Sequence, residues 1–428
     1  MKKHSSKFAK SEASSKSSVL DITVIAAIFA LSFATYFTEE MHLAIQLVPV
    51  IVLAAFVVLQ LLFPRRWPKR AALFSGEGSL VLWLIPILTC VASLESKSEK
   101  SPQYWALMAG VLLLGRLLAS RISLREMVDG FFWSGLLCMV LLLVLGGSAL
   151  RQSIDTLARF SDFGFHPNTL GFIFAGYFAV STWKIMAGRW FERTGAGFLG
   201  ITCLLIIFFA SSRGSLVAIG ASLLGVSLLW CLRRRNWKML IAVSLLTPML
   251  VWGFMKTTGF GDAADYTDKV LQLSQGDRGV DSGLTGRLPH WQDTWSRLAR
   301  GSWFYGNGVR ASDGLPFAVD NGFLVVLYDL GIVPFLLIIG RFATLLWRFC
   351  CRYFARGASL DLAVVLILSI FLVNNIVDRY LFGVGNPFSL MVFIMLVAPW
   401  SAARHEVKFL PVMRGRVPLS PQPAHARP

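Results

Sequence analysis

Apolar residues recur in long runs along almost the whole chain, and this constrains the fold more than any other feature. A helix of about twenty residues matches the hydrocarbon thickness of a bilayer. Backbone in lipid must also satisfy its own hydrogen bonds, which leaves helices and closed barrels as spanning structures. About twelve runs are long enough, or nearly so: 20–37, 43–63, 78–94, 103–119, 127–150, 169–187, 196–211, 214–232, 239–255, 321–340, 358–376 and 381–399. The balance of 55% hydrophobic to 15% charged residues, with mean hydropathy +0.62, argues against a set of soluble domains. The reading is an all-α integral membrane protein with about 12 transmembrane helices. Residues 1–19 and 401–428 are polar tails, 20–255 hold the first nine spans, 256–319 form one large outer loop, and 320–400 hold the last three. The Asp21–Phe37 run is followed by acidic residues and another span, so it reads as a retained helix and not as a cleaved signal.

Charge sets the orientation. With both tails cytoplasmic, that side collects the loops near 64–77, 116–126, 184–195, 233–238 and 341–357. Together with the tails these hold about two-thirds of the 41 Lys and Arg residues, the positive-inside pattern. The net charge of +17 therefore reports topology and contact with anionic membrane lipid. Its basic blocks are short and separated, which argues against a nucleic-acid partner. The six cysteines fall in spans or on the cytoplasmic side, so no disulfide framework is implied. No Cys/His metal spacing and no nucleotide-cradling glycine motif appears, and no cofactor is called for.

The candidate chemistry gathers on the outer side. Arg213, in Ser211-Ser212-Arg213-Gly214, lies in a short break between two apolar runs. A charge so near hydrocarbon is costly and marks a polar cavity by default, although an arginine can also snorkel to the headgroups. Asp262, Asp265 and Asp268 fit either a solvated acidic face or, less simply, a cation site. The segment from Gly286-Arg287 reads as an amphipathic surface helix, with Trp291, Trp295 and Leu298 on its apolar stripe and Arg297 and Arg300 off it. Asp320, ahead of the apolar run from Asn321, is either an N-cap or a general base, with His290 as the next candidate base. Asn168 or Thr169 can cap the span that follows Pro167, and His166 is a surface histidine or a binder of sugar or phosphate. Asp378 and Arg379 form a local ion pair on the simplest reading. Asp329, inside a run, requires a partner, for which an arginine is suited.

Four of these elements, in order, resemble the O-antigen ligase and polymerase superfamily. They are Phe165-His166-Pro167-Asn168-Thr169-Leu170-Gly171, Ser211-Ser212-Arg213-Gly214, Gly286-Arg287 with Trp291, and Asp320-Asn321-Gly322-Phe323-Leu324 with Leu330-Gly331-Ile332. The resemblance implies a GT-C-like, metal-independent, inverting glycosyltransferase of the bacterial inner membrane, with its large loop periplasmic. Its donor is an undecaprenyl-pyrophosphate oligosaccharide. Arg213 and Arg287 would hold the pyrophosphate, Asp320 would be the base, and His166, Asn168, His290, Asn321 and Arg379 would bind substrate. Ligases of this superfamily carry His-Asn where this chain has Asp320-Asn321, so the resemblance points to a polymerase of O-antigen, capsule or exopolysaccharide. A flippase and a chain-length regulator would be its pathway partners. Ligation to lipid A core is the alternative, and a transporter of lipid-linked sugar is a third reading, since many apolar spans with embedded charge also suit a carrier.

Overall fold

The computed structural model describes residues 19–37, 47, 50–58, 79–96, 100–120, 122–156, 160, 166–235, 287–301, 303–383 and 385–398. Its α-helices are α1 (Val19–Ala34), α2 (Ser79–Glu95), α3 (Ser101–Ala119), α4 (Leu124–Thr156), α5 (Pro167–Ala187), α6 (Trp190–Phe209), α7 (Arg213–Arg234), α8 (Arg287–Arg300), α9 (Gly322–Leu330), α10 (Ile332–Arg356), α11 (Ser359–Asn374) and α12 (Pro387–Val397). Short 3-10 turns cover Ala311–Gly314 and Tyr380–Phe382.

The protein is an all-α, multi-pass membrane protein. Among the described residues six helices, α3 to α7 and α10, are long and apolar enough to cross a membrane. Helices α1, α11, α12 and the apolar part of α2 are shorter apolar helices. The expected count of twelve spans is therefore not reached among the described residues. The 239–255 run lies outside the described residues, and the 43–63 run is described only at 47 and 50–58. The 321–340 run is two helices and not one, because Gly331 breaks it at φ +82°. Helix α10 then continues through the segment read as a cytoplasmic loop, to Arg356.

The central helices are α5, α11 and α12. Helix α5 packs against α4, α6, α7 and α11. Every residue of α12 from Pro387 to Val397 is buried, and α11 is buried over most of its length. A helix apolar on all sides belongs inside the bundle. Phe131, Phe172, Phe371 and Phe388 meet there with ring centroids 5.0–6.2 Å apart. By contrast α4, α6, α7 and α10 present exposed Leu137, Val144, Ile201, Val217, Leu224 and Leu336, the faces that lipid would cover.

Polar side chains concentrate at the two ends of the bundle. At one end Lys184 is buried between Asp129 (2.7 Å) and Glu192 (2.9 Å), joining α4, α5 and α6. At the same end Arg116 donates to the Val397 carbonyl (2.6 Å), and Arg341 donates to Leu396 (2.8 Å) and Ala398 (3.1 Å). Two buried guanidiniums thus serve the last carbonyls of α12, groups that no helix can satisfy internally. The opposite end carries the starts of α5, α7, α9 and α12, and the candidate site lies there.

Candidate functional site

The turn from α6 into α7 places Arg213. Ser211 adopts a left-handed conformation (φ 52°), uncommon for a residue with a side chain, and reverses the chain within two residues. Ser212 is buried and its hydroxyl donates to Ser215 Oγ at 2.9 Å. Gly171 of α5 lies directly against this turn, where a methyl group would come within 2.2 Å of Ser212 Oγ. The His-Pro-Asn-Thr-Leu-Gly and Ser-Ser-Arg-Gly segments are therefore one packed unit. Arg213 is the first residue of α7, half-buried, so its guanidinium adds to the positive end of that helix dipole.

A second unit joins α8 to α9. Arg287 Nε lies 3.3 Å from Asp320 Oδ2, with both side chains partly shielded from water. The N-cap of α9 is Asn321, whose side-chain oxygen accepts from Leu324 N at 3.0 Å. Asp320 is thus not the cap that the sequence suggested. The neighbouring amide does that work, and the Asp320 carboxylate turns to Arg287. On α8 the buried residues are Thr294 and Leu298, with Trp291 half-buried beside them. Trp295, on the apolar stripe read from the sequence as facing the membrane surface, is 49% exposed and packs edge-on against Trp303 at 5.3 Å. The side that faces the rest of the protein therefore runs through 291, 294 and 298, and Trp295 lies at its edge.

The end of α11 ties these units together, which the sequence did not reveal. Asn374 is buried and donates to Ser215 Oγ (3.0 Å), in the first turn of α7. Val377 packs on Gly214. The next residue, Asn375, accepts at its backbone carbonyl from Gly322 N (2.8 Å), the first residue of α9. A methyl group on Gly322 would come within 2.6 Å of Asn375 Oδ1. Tyr380 is hydrogen-bonded to Thr169 in the first turn of α5. Burial, and then the nearby Asp378 carboxylate, push the Tyr380 phenol well above its ordinary range, so it stays protonated in that contact. Segment 374–380 therefore touches the starts of α5, α7 and α9. Its signal in the sequence is a pair of amides closing an otherwise apolar run.

The remaining expected residues divide. His166 itself caps α5, accepting from Asn168 N at Nδ1 (3.3 Å), in place of the Asn168 or Thr169 cap expected. Asn168 sits half-buried in the first turn. His290 stacks on Phe317 at 4.7 Å. Arg379 reaches Asp313 (3.4 Å), which also pairs with Arg310 (2.8 Å), so the pairing that orients it runs across the loop. Asp378 is buried. Asp329 accepts from the backbone N–H groups of Arg310 (3.1 Å) and Ser312 (2.8 Å) and from the Ser312 hydroxyl (3.1 Å). Its partners are thus loop amides and a hydroxyl, where an arginine side chain was expected. Gly306 and Gly331 make that fold possible. Both have positive φ, and a methyl on either would strike the backbone of the other segment within 2.3 Å. Asp262, Asp265 and Asp268 lie outside the described residues, among which no three His, Cys, Asp or Glu side chains are grouped to hold a metal.

Residues 198–339 match the family model described as O-antigen ligase. The match includes Arg213, Arg287, Asp320 and Asn321 and ends before Asn374 and Arg379. No curated protein matches the chain.

Proposed function

We propose that this chain transfers a glycan from undecaprenyl pyrophosphate to a hydroxyl acceptor at the periplasmic face of the bacterial inner membrane. The observation that carries this reading is the contact of Arg287 with Asp320, held through Asn375 and Asn374 to the turn that bears Arg213. It lies within the stretch matched by the O-antigen ligase family.

Arg213 and Arg287 bind the pyrophosphate. Their forks of donors neutralise the charge that develops as the leaving group departs. Entry of the phosphate draws Arg287 away from Asp320 and frees the carboxylate as a base. The acceptor oxygen attacks the anomeric carbon and its proton passes to Asp320. The bond from that carbon to the phosphate oxygen breaks, and its electron pair leaves with undecaprenyl pyrophosphate. One displacement inverts the anomeric centre. Fixed guanidiniums supply the positive charge, so the reaction proceeds without a divalent cation. The positive-inside charge distribution supports the placement of this end outside and of the Lys184 end in the cytoplasm.

The family description favours a ligase, for which the acceptor on this reading is lipid A core. The polymerase reading, with a second lipid-linked repeat as acceptor and a flippase and chain-length regulator as pathway partners, keeps one specific support. Asp320 stands where the resembling ligases carry histidine. Purified protein in nanodiscs, given lipid-linked oligosaccharide extracted from the producing cells, separates these outcomes. A ligase releases undecaprenyl pyrophosphate only when lipid A core is added, and labels the core. A polymerase makes a ladder of longer lipid-linked chains without core. Movement of unaltered donor between leaflets, with no new glycosidic bond, would show a transporter and sink the transferase reading. Chelator leaves the product unchanged in either transferase case.

A further inference from the structure

Between the 3-10 turn at Ala311–Gly314 and Asp320 the chain walls an open cleft of about 440 Å³, lined by Ser312, Asp313, Leu315, Pro316, Phe317, Ala318 and Arg379. Neither Phe317 nor Asp313 has a role in the transfer step described above. The cleft volume lies in the range of small-ligand sites.

Its position is set by the pairing of two chain segments. Arg287 meets Asp320, and one turn further along α8 His290 stacks on Phe317 at 4.7 Å with the rings 19° from parallel. Arg297, about two more turns along, has its guanidinium 5.9 Å from the same ring. Two α8 side chains thus hold the Phe317 ring, and the same residue lines the cleft. Phe317 lies three positions before Asp320, a backbone reach of at most roughly 10 Å. A glycan lying on Phe317 thus has the carboxylate within the length of a short oligosaccharide.

The chemistry of the lining is mixed in a particular way. Phe317, Leu315 and Pro316 give an apolar wall. Asp313 and Arg379 stand together at the rim, 3.4 Å apart and each partly exposed. Ring CH groups of a pyranose pack on an aromatic wall, and its hydroxyls need an acceptor and a donor close together. Asp313 supplies the first and the Arg379 guanidinium the second. A fatty chain would find too little enclosure here, because the cleft is shallow and open at its charged rim.

We propose that this cleft is the subsite for a hexopyranose unit of the acceptor glycan, with Phe317 as its stacking platform and Asp313 and Arg379 as its hydroxyl-reading pair. The assignment to the acceptor rests on the transferase reading, in which Asp320 takes the acceptor proton. The full chain in nanodiscs tests it by saturation-transfer NMR with two soluble glycans from the producing cells. One is the oligosaccharide released from the lipid carrier by mild acid, and the other is the lipid A core oligosaccharide. The wild type binds one of them; Phe317→Ala weakens that binding at least tenfold, and Phe317→Trp restores most of it. Phe304→Ala, an exposed ring of the same loop that does not line the cleft, leaves it unchanged. In transfer assays the same Phe317→Ala change raises acceptor KM by a similar factor while the KM for the lipid-linked donor stays the same. Equal binding by wild type and Phe317→Ala, or binding of neither glycan, overturns the subsite even where transfer proceeds. Binding that depends on Phe317 in a chain that performs no transfer overturns the acceptor assignment together with the transferase reading.

Discussion

At the residue scale, the division of labour between Asp320 and Asn321 decides how a mutation should be read. Asn321 holds the first turn of α9, so Asp320 can change without loosening that helix. Asp320→Asn is expected to keep protein level and thermal stability in detergent while turnover falls by two orders of magnitude or more, since an amide cannot take a proton at neutral pH. An intact rate would remove Asp320 from the mechanism and leave His290 as the nearest alternative. Asn321→Ala should show the reverse balance, losing about 1 kcal/mol of stability with the loss of the cap. For the arginines the comparison is with lysine, which keeps the charge and loses the planar fork. Arg213→Lys and Arg287→Lys should each accumulate normally and lose roughly a hundredfold in rate, about 3 kcal/mol of transition-state stabilisation. Steady-state transfer by either variant at the wild-type rate would exclude a phosphate clamp at that position. Arg213 and Asp320 stand out in the sequence because a charge beside an apolar run is expensive, whereas Arg287 stands out only at the head of an amphipathic segment of the outer loop. The cap is not legible there, because Asp and Asn start helices equally well and stand side by side here.

At the scale of elements, hydropathy located the long helices but not their internal breaks. Gly331 splits one apolar run because its positive φ is needed for contact with Phe304 and Gly306, a tertiary demand invisible along the chain. Asn374 and Asn375 were hidden for a different reason. Two amides scarcely lower the average of a run as apolar as α11, although their partners lie far away in sequence, in α7 and α9. Gly171 shows how tightly these elements fit. Gly171→Ala would drive a methyl into the Ser212 side chain and should cost about 1–3 kcal/mol. It should lower the melting temperature of the purified protein and the transfer rate together, because the Arg213 turn must shift. A variant with unchanged melting and rate would mean that α5 and α7 can separate at no cost.

At the scale of the whole molecule, the ion pairs and buried cations sort to the two ends of the bundle, with the apolar core between them. The Lys184 cluster and the last carbonyls of α12, bound by Arg116 of α3 and Arg341 of α10, lie toward one end, and the Arg287–Asp320 pair and the cleft at the other. A cysteine replacing Ala311 should react with a membrane-impermeant thiol reagent added to intact spheroplasts, and one replacing Arg235 should react only after permeabilisation. The opposite pattern would place the site in the cytoplasm and overturn the proposed transfer at the periplasmic face.

The clamp on α12 also bears on how the chain is made. Arg116 enters the membrane with α3, far ahead of the carbonyls of Leu396, Val397 and Ala398 that it and Arg341 finally engage. Translation must run nearly to residue 398 before those acceptors exist. Until then these three contacts between α3, α10 and the end of α12 cannot form, so insertion of the last helix completes the links between the earlier ones. A chain stopped after Asn386 keeps every residue of the proposed site yet lacks the three α12-end carbonyls that Arg116 and Arg341 engage. It should be cleared by quality-control proteases while the full-length chain persists, as a pulse-chase would report.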